Sequence, residues 1–395
     1  MANPGVTYEQ WQEAEIAFDA CHQNKAAAAR SIGQHPETFR NRLERGRIRY
    51  GGEGGNKFGG STTLRKYEYG ESGDTVLEWT RTNPGLEKQV AAIKDVVREF
   101  AKPVTKIPKA PEKFDADIIP WFQIGDAHLG MLAHESETGS NFDLRIAERE
   151  LCQAFATLID ECRPRERCCI NDLGDFTHYE NMKAETEASG HKMDADGRFP
   201  KMIGVYSRVM RFFVDRSLTR FQNVDVIINQ GNHSRTNDIW MAELLRCAYA
   251  SSERVHVLDN SGAFIPYRMG NTFVLTHHSD KARGERLVQV MANDYRQDWG
   301  DTEFHYIDVG HLHHKTRTNE DGGATIEMWN TLAPRDKYGN DGGWRAHQSI
   351  TRVDRSMRYG EVGRRVLPIQ EIRDSLKRGG VDGYCPPERR KVHTI

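Results

Sequence analysis

The sequence has few cysteines, no long apolar run and almost no net charge. Its 7 cysteines are odd in number and none sits in a C-x-x-C pair, so a disulfide frame and a thiolate zinc site are both excluded. Adjacent Cys168 and Cys169 lie in an apolar, strand-like run and read as reduced core thiols. No stretch approaches the roughly 20 apolar residues of a membrane helix. The opening MANPGVTYEQWQEAE also lacks the basic-then-apolar layout of a signal peptide, so the expectation is a soluble, cytoplasmic chain with no membrane partner. With 55 Lys and Arg against 57 Asp and Glu, the net charge is -2, and any affinity for nucleic acid must come from local patches.

What is present is enough for a folded protein: 395 residues with 37% hydrophobic content leave room for two or three domains at about 150 residues each. Thr7 and Gln10 suggest a capping box, and Trp11, Ala14, Phe18 and Cys21 then recur at helical spacing. A short Ala-rich segment, Ala26 to Ile32, is followed by Gly33 at a turn and by Pro36 at the start of a third helix through Phe39 and Leu43. Three helices with a tight turn before the last resemble a helix-turn-helix module over residues 1–50. The third carries Arg40, Arg42, Arg45, Arg47 and Arg49 against Glu37 and Glu44, a local +3 suited to a DNA groove. A small bundle with a solvated arginine face is the competing reading.

Residues 51–62 (GGEGGNKFGGST) are a Gly-rich connector opening an intermediate segment, 51–117, in which 63–80 suggests a hairpin and 84–101 an amphipathic helix. From Ile118 short apolar runs alternate with helical ones, and after about residue 255 strands dominate. This predicts an α/β domain over 118–348 built from layered sheets covered by helices. Residues 349–395 carry 11 Lys and Arg against 6 Asp and Glu and read as a basic extension, either a phosphate track or a solvated tail.

The informative pattern is where polar residues fall. Five strand-like runs each end in a small cluster of potential metal ligands: Gly125-Asp126-Ala127-His128, Gly174-Asp175, Gly231-Asn232-His233, His277-His278 and Gly310-His311-Leu312-His313. Ligand sites in open α/β sheets lie outside the carboxyl ends of strands, so these loops should meet in one crevice. Carboxylate, imidazole and amide oxygen suit manganese, iron or zinc. The glycines let the chain turn off each strand and approach an ion closely.

The order D-x-H, GD, GNH, H, GHxH is similar to that of the calcineurin-like metallophosphoesterases over about residues 118–335, and Asp126-Ala127-His128-Leu129-Gly130 resembles the SbcD-type repair-exonuclease branch. The resemblance implies an α-β-β-α sandwich holding two divalent ions. Asp126, His128, Asp175 and His313 would hold one; Asp175, Asn232, His277 and His311 the other; His233 would stay free as acid or charge stabiliser. Two cations about 4 Å apart polarise a phosphate, ionise water and stabilise entering and leaving oxygens. This chain departs from the family pattern with Ser234 where an acid often follows GNH, with His178 three residues after the GD aspartate, and with His278 after His277 where glycine is usual; His278 is the alternative ligand at an offset of one. The leading expectation is a DNA nuclease or DNA-processing phosphodiesterase, with DNA as partner and a homo-oligomer compatible. A phosphomonoesterase or nucleotide phosphatase, or a non-enzymatic DNA-binding regulator on the same fold, are the alternatives.

Overall fold

The computed structural model describes residues 8–21, 24–50, 63–69, 75–82, 95, 103–104, 106–185, 190, 192–313, 316–318, 321–343 and 345–380. Thr7, the Gly-rich connector and residues 381–395 lie outside the described residues, as does the helix expected over 84–101 apart from Asp95. Two compact units divide the chain, residues 1–92 and 93–395.

In the first unit α1 (Tyr8–Ala20), α2 (Lys25–Ser31) and α3 (Pro36–Tyr50) pack around Ala14, Ala17, Phe18, Ala28, Ala29, Phe39 and Leu43. Asn24 caps α2 by accepting from the backbone N–H groups of Ala26 and Ala27, which explains why the helix starts one residue before the alanines. Gly33 takes φ +66 at the turn before α3. Phe39 and Leu43 face inward, Arg40 is exposed beside Glu37, and half-buried Arg42 reaches Glu13 of α1 at 3.7 Å. The side chains of Arg45, Arg47 and Arg49 lie outside the described residues. Strands β1 (Thr63–Tyr69) and β2 (Thr75–Thr82) pair antiparallel.

The second unit is an α/β sandwich of two mixed sheets. Its strands are β3 (Ile118–Ile124), β4 (Arg165–Asp172), β5 (Phe221–Ile228), β6 (Val255–Val257), β7 (Ile265–Met269), β8 (Thr272–His277), β9 (Phe304–Val309), β10 (Thr316–Thr318), β11 (Thr325–Met328), β12 (Ser349–Ser356) and β13 (Gly360–Pro368). One sheet has the order β13-β12-β3-β4-β5-β6, with β3 to β6 parallel; the other has β10-β11-β9-β8-β7, with β8, β9 and β11 parallel.

Strand alternation builds the layers. On the six-stranded sheet Phe122, Cys168, Ile170, Val224 and Val226 pack with Leu151, Phe155, Val209, Phe213 and Leu245 from the helices Leu144–Asp160, Phe199–Ser217 and Arg235–Ala248. Its opposite face offers Trp121, Cys169, Ile227 and Val353 to Val274 and Trp329 of the other sheet. The outer face of that sheet, with Phe273, Leu275 and Ile307, is covered by Leu287, Val288 and Met291 of the helix Glu285–Asp294. The adjacent cysteines are thus both buried, one on each side of β4, with their thiol pKa values pushed well up by burial. Among the described residues no helix is long and apolar enough to cross a membrane.

Between the sheets runs a polar chain. Thr276 donates to Asn229, Asn229 to Asn171, Asn171 to Gln123, and Gln123 to Asp308. Asp308 also accepts from Trp329 and, through both oxygens at 2.8 Å, from the buried Arg355 guanidinium. Buried networks of this kind fix one register between the packed layers.

Arg355 belongs to a segment that the sequence reads differently. Residues 349–377 are not an appended basic extension. β12 is hydrogen-bonded between β3 and β13, and the helix Ile369–Lys377 buries Ile369 and Ile372 in the core. Part of its local positive charge is answered by distant acids: Arg364 pairs with Glu327 besides its neighbour Glu361, Arg365 with Glu161 besides Glu371, and Arg373 with Glu150. Counting charges within the segment misses partners that arrive through the fold.

Candidate metal centre

β3, β4 and β5 are parallel neighbours in one sheet and β8 and β9 in the other, so the loops leaving their carboxyl ends emerge on the same side of the sandwich. These loops are tied together by short backbone bonds. His128 N–H donates to the Asp175 carbonyl at 3.0 Å, His233 N–H to Asp175 Oδ1 at 2.7 Å, and His311 N–H to both oxygens of Asp126 at 3.0 Å.

The backbone here is strained. Asp126, His128, Asp175, His311 and His313 all have positive φ, between 37° and 80°, and only Ala184 and Ser279 join them among the described non-glycine residues. Side chains with a Cβ avoid this region, at a cost of the order of 1–3 kcal/mol each, and persist there where surrounding structure holds them to a task. Glycines allow the close packing: a Cβ on Gly231 would lie 2.1 Å from both the N and the Oδ1 of Asp175.

Two groups of side chains can each hold a metal ion: Asp126, His128 and His313, and Asp175, His278 and His311, with the donor atoms of each group within 4.8 Å of one another. In the first, His128 Nε2 and His313 Nε2 face each other at 2.9 Å with Asp126 Oδ1 3.7 Å from His313. Burial holds the His128 imidazole well below its ordinary pKa and His313 near about 4, so two lone pairs and a carboxylate converge on one point. Burial also lifts the Asp126 carboxyl, helped by Asp175 and opposed by His278, to about 7. In the second group His278 Nδ1 donates to the Leu173 carbonyl at 2.7 Å, which aims Nε2 at Asp175 Oδ2 (3.1 Å) and Asn232 Oδ1 (3.0 Å). An imidazole anchored by a backbone carbonyl through one nitrogen is oriented as metal-binding histidines usually are.

Charge makes the same point. Burial alone would depress His278, but Asp175 and Asp126 overcome it and lift the imidazole to about 10. Burial alone would raise Asp175, but His278, His233 and His128 hold it well below the carboxylate range. The donor set is electrically satisfied by a proton on His278; a divalent cation in the same place supplies that charge and displaces the proton. The residues present therefore fit cations.

Asp126, His128, Asp175, Asn232, His311 and His313 are thus brought together, with His233 beside them, but His277 is not in either group. Alternation along β8 explains it. Val274 and Thr276 face the other sheet, so the next residue of that parity, His278, turns to Asp175, while His277 stacks on Phe264 with ring centroids 4.5 Å apart and accepts from the N–H of Ser279. His233 stands edge-on to His128 at 5.3 Å and parallel to His178 at 5.9 Å. Its Nδ1 is buried with no hydrogen-bond partner; Ser234 donates instead to Asp238 at 2.5 Å. Buried His178 also faces His128, Nδ1 to Nδ1 at 3.3 Å, and burial lowers it to about 3.

Sequence reading missed a supporting layer. The Tyr206 hydroxyl lies within hydrogen-bond distance of both Asp172 (3.3 Å) and Asp238 (3.1 Å), and these two residues in turn accept the N–H groups of Gly174 and Gly231, the turns that carry Asp175 and Asn232. No spacing rule links residues this far apart in sequence; only Asp172, two residues before Gly174, and Asp238, seven residues after Gly231, lie close to the turns they hold. His134 caps a short helix and His305 stacks on Trp299, so neither joins the site.

No protein-family profile matches the chain, and no curated protein does. Solved structures with some likeness are the phosphoesterase YfcE from E. coli (11% identity, TM-score 0.31, covering 63% of this chain and 100% of that chain), a dimetal phosphatase from Danio rerio (10%, 0.31, 64% and 99%) and PhoD (7%, 0.30, 66% and 70%). At such low values the likeness carries no weight, and the account of the site rests on its own side chains.

Proposed function

We propose that this chain is a two-metal phosphodiester hydrolase that acts on DNA. The observation that carries this reading is the convergence of two Asp/His groups, from four strand-end loops, on one strained and buried crevice that Asn232 joins from a fifth loop. Asp126, His128 and His313 would hold one cation, and Asn232, His278 and His311 the other. Asp175 lies between: its charge acts on His128 and His313 on one side and on His278 and His311 on the other, as a bridging carboxylate must. Two divalent cations, manganese suiting this oxygen and imidazole set, supply Lewis-acid polarisation of the phosphate and lower the pKa of water.

The protein's own groups do the rest. His233, outside both groups, hands a proton to the leaving alkoxide oxygen, and its unpartnered buried Nδ1 leaves the ring free to turn toward substrate. Asp172, Tyr206 and Asp238 keep the Gly174 and Gly231 turns in place. Exposed Arg40 on α3, with the arginines that follow it, gives the first unit its affinity for phosphate backbones.

The test is turnover of bis-p-nitrophenyl phosphate against p-nitrophenyl phosphate by manganese-loaded protein, followed by labelled duplex and single-stranded DNA. Diester and DNA cleavage are expected. Exclusive monoester turnover would make the chain a phosphatase, and no metal-dependent turnover of any ester would remove the enzymatic reading.

A further inference from the structure

The loop that follows the metal-facing His278 carries a feature that the two ligand groups leave unused. It runs from the end of β8 through Ser279, Asp280, Lys281, Ala282 and Arg283 to Gly284, where the helix Glu285–Asp294 begins. Ser279 has φ +79, and buried Ala282 (7% exposed) sinks into the same apolar cluster as Leu287 and Met291. The loop is thereby pinned at both ends of a short span while Lys281 and Arg283, on either side of Ala282, stay exposed.

Arg283 Nε donates to the Ser279 carbonyl at 3.0 Å, which fixes the guanidinium beside the residue that follows His278. The acid that precedes it in the loop is already engaged: Asp280 pairs with Arg235 at 3.3 Å. The terminal nitrogens of Arg283 have no hydrogen-bond or ion-pair partner among the described residues, in contrast to Arg355, Arg364, Arg365 and Arg373, which all have carboxylates. An arginine oriented through Nε on the loop that carries His278, with its remaining fork bare, has the geometry for two parallel N–H bonds to a phosphate.

We infer that Arg283 is a substrate-binding residue, a clamp that holds the non-bridging oxygens of the substrate phosphate against the metal centre. This rests on the phosphoesterase reading above. The fork geometry, and not charge alone, is what matters, because a lysine offers a point charge in place of a planar pair of donors.

The test compares wild type, Arg283→Ala, Arg283→Lys and Arg286→Ala, all manganese-loaded, with three readouts: metal content, binding of inorganic phosphate by calorimetry, and kcat/KM for bis-p-nitrophenyl phosphate. Arg283→Ala should keep the wild-type metal content while phosphate affinity and kcat/KM each fall about tenfold to a hundredfold, the scale of a charge-assisted hydrogen-bond pair. Arg283→Lys should recover only part of that loss. Arg286→Ala, which removes the same charge three residues further on, should match wild type. If wild type turns over the diester and Arg283→Ala stays within twofold of it in both phosphate binding and kcat/KM, the clamp is refuted while the phosphoesterase reading stands. An equal loss in Arg286→Ala would show general charge at work and overturn the clamp as well. If wild type itself has no metal-dependent turnover, the reading of the site falls and the clamp falls with it.

Discussion

Gly231→Ala tests the packing that holds the centre together. An added Cβ would stand 2.1 Å from the N and Oδ1 of Asp175 and 2.8 Å from its Cα. Ordinary carbon contacts begin near about 3.5 Å, so the two loops must separate by roughly 1 Å or more. They have little room to do so. Asp238 holds the Gly231 N–H at 3.0 Å, and Gly174 on the other loop already lies so near that its own Cβ would be 2.9 Å from the Gly231 Cα. Overpacking of this kind costs about 1–3 kcal/mol, a fraction of a domain's stability. A shift of about 1 Å between catalytic groups costs about a hundredfold in rate. The variant should therefore fold with a lowered melting temperature, bind less metal and lose about two orders of magnitude in diester turnover. Thermal unfolding without added metal, metal analysis after desalting and steady-state kinetics check the three parts. Gly300→Ala is the control, because nothing lies within 4 Å of its Cβ position. Wild-type turnover and metal content in Gly231→Ala would refute the claim that this contact sets the spacing of Asp175 and Asn232.

His278→Ala should lower metal content and turnover, whereas His277→Ala, which removes a ring stacked on Phe264, should cost stability and leave metal content intact; metal analysis of the pair decides between the two histidines. Replacing His233 with Ala should keep both metals and lose about a hundredfold in turnover, the scale for a positioned acid, so a fall in metal stoichiometry would reassign it as a ligand. Asp308→Asn removes the charge that holds buried Arg355 and should destabilise the protein by about 3–5 kcal/mol in denaturant unfolding, since breaking one side of a buried pair strands the other. Removing residues 1–50 should weaken DNA binding and flatten its salt dependence while small-diester turnover persists; unchanged affinity and slope would assign the three helices to something other than DNA.

Much of the fold was legible because strand ends and apolar runs are local signals. Ile118–Ile124 and the helix Leu144–Asp160 follow directly from their periodicity, and the parallel strands bring their polar ends to one side. The glycine of each turn marked where loops must nearly touch, and Gly231 against Asp175 shows how nearly. Other features needed the third dimension. A one-residue choice between His277 and His278 depends on which face of β8 meets the other sheet, and the two histidines are chemically identical in sequence. The place of β12 beside β3 is a pairing between segments more than two hundred residues apart, so Arg352 to Arg373 looked like a charged tail until Asp308, Glu327, Glu161 and Glu150 were brought to them. The helix Arg235–Ala248 starts four residues earlier than its apolar pattern, because Asp238 in its first turn is buried under the Gly231 turn and not exposed as a charged residue would be.

The central claim, that one carboxylate serves two cations, is tested most directly by metal stoichiometry in wild type and Asp175→Asn after manganese loading and desalting. Two ions per chain in wild type are expected, with both lost or greatly weakened in Asp175→Asn together with hydrolysis, because each loses a ligand at once. Two ions retained in Asp175→Asn with unchanged turnover, or a single ion in fully active wild type, would contradict it.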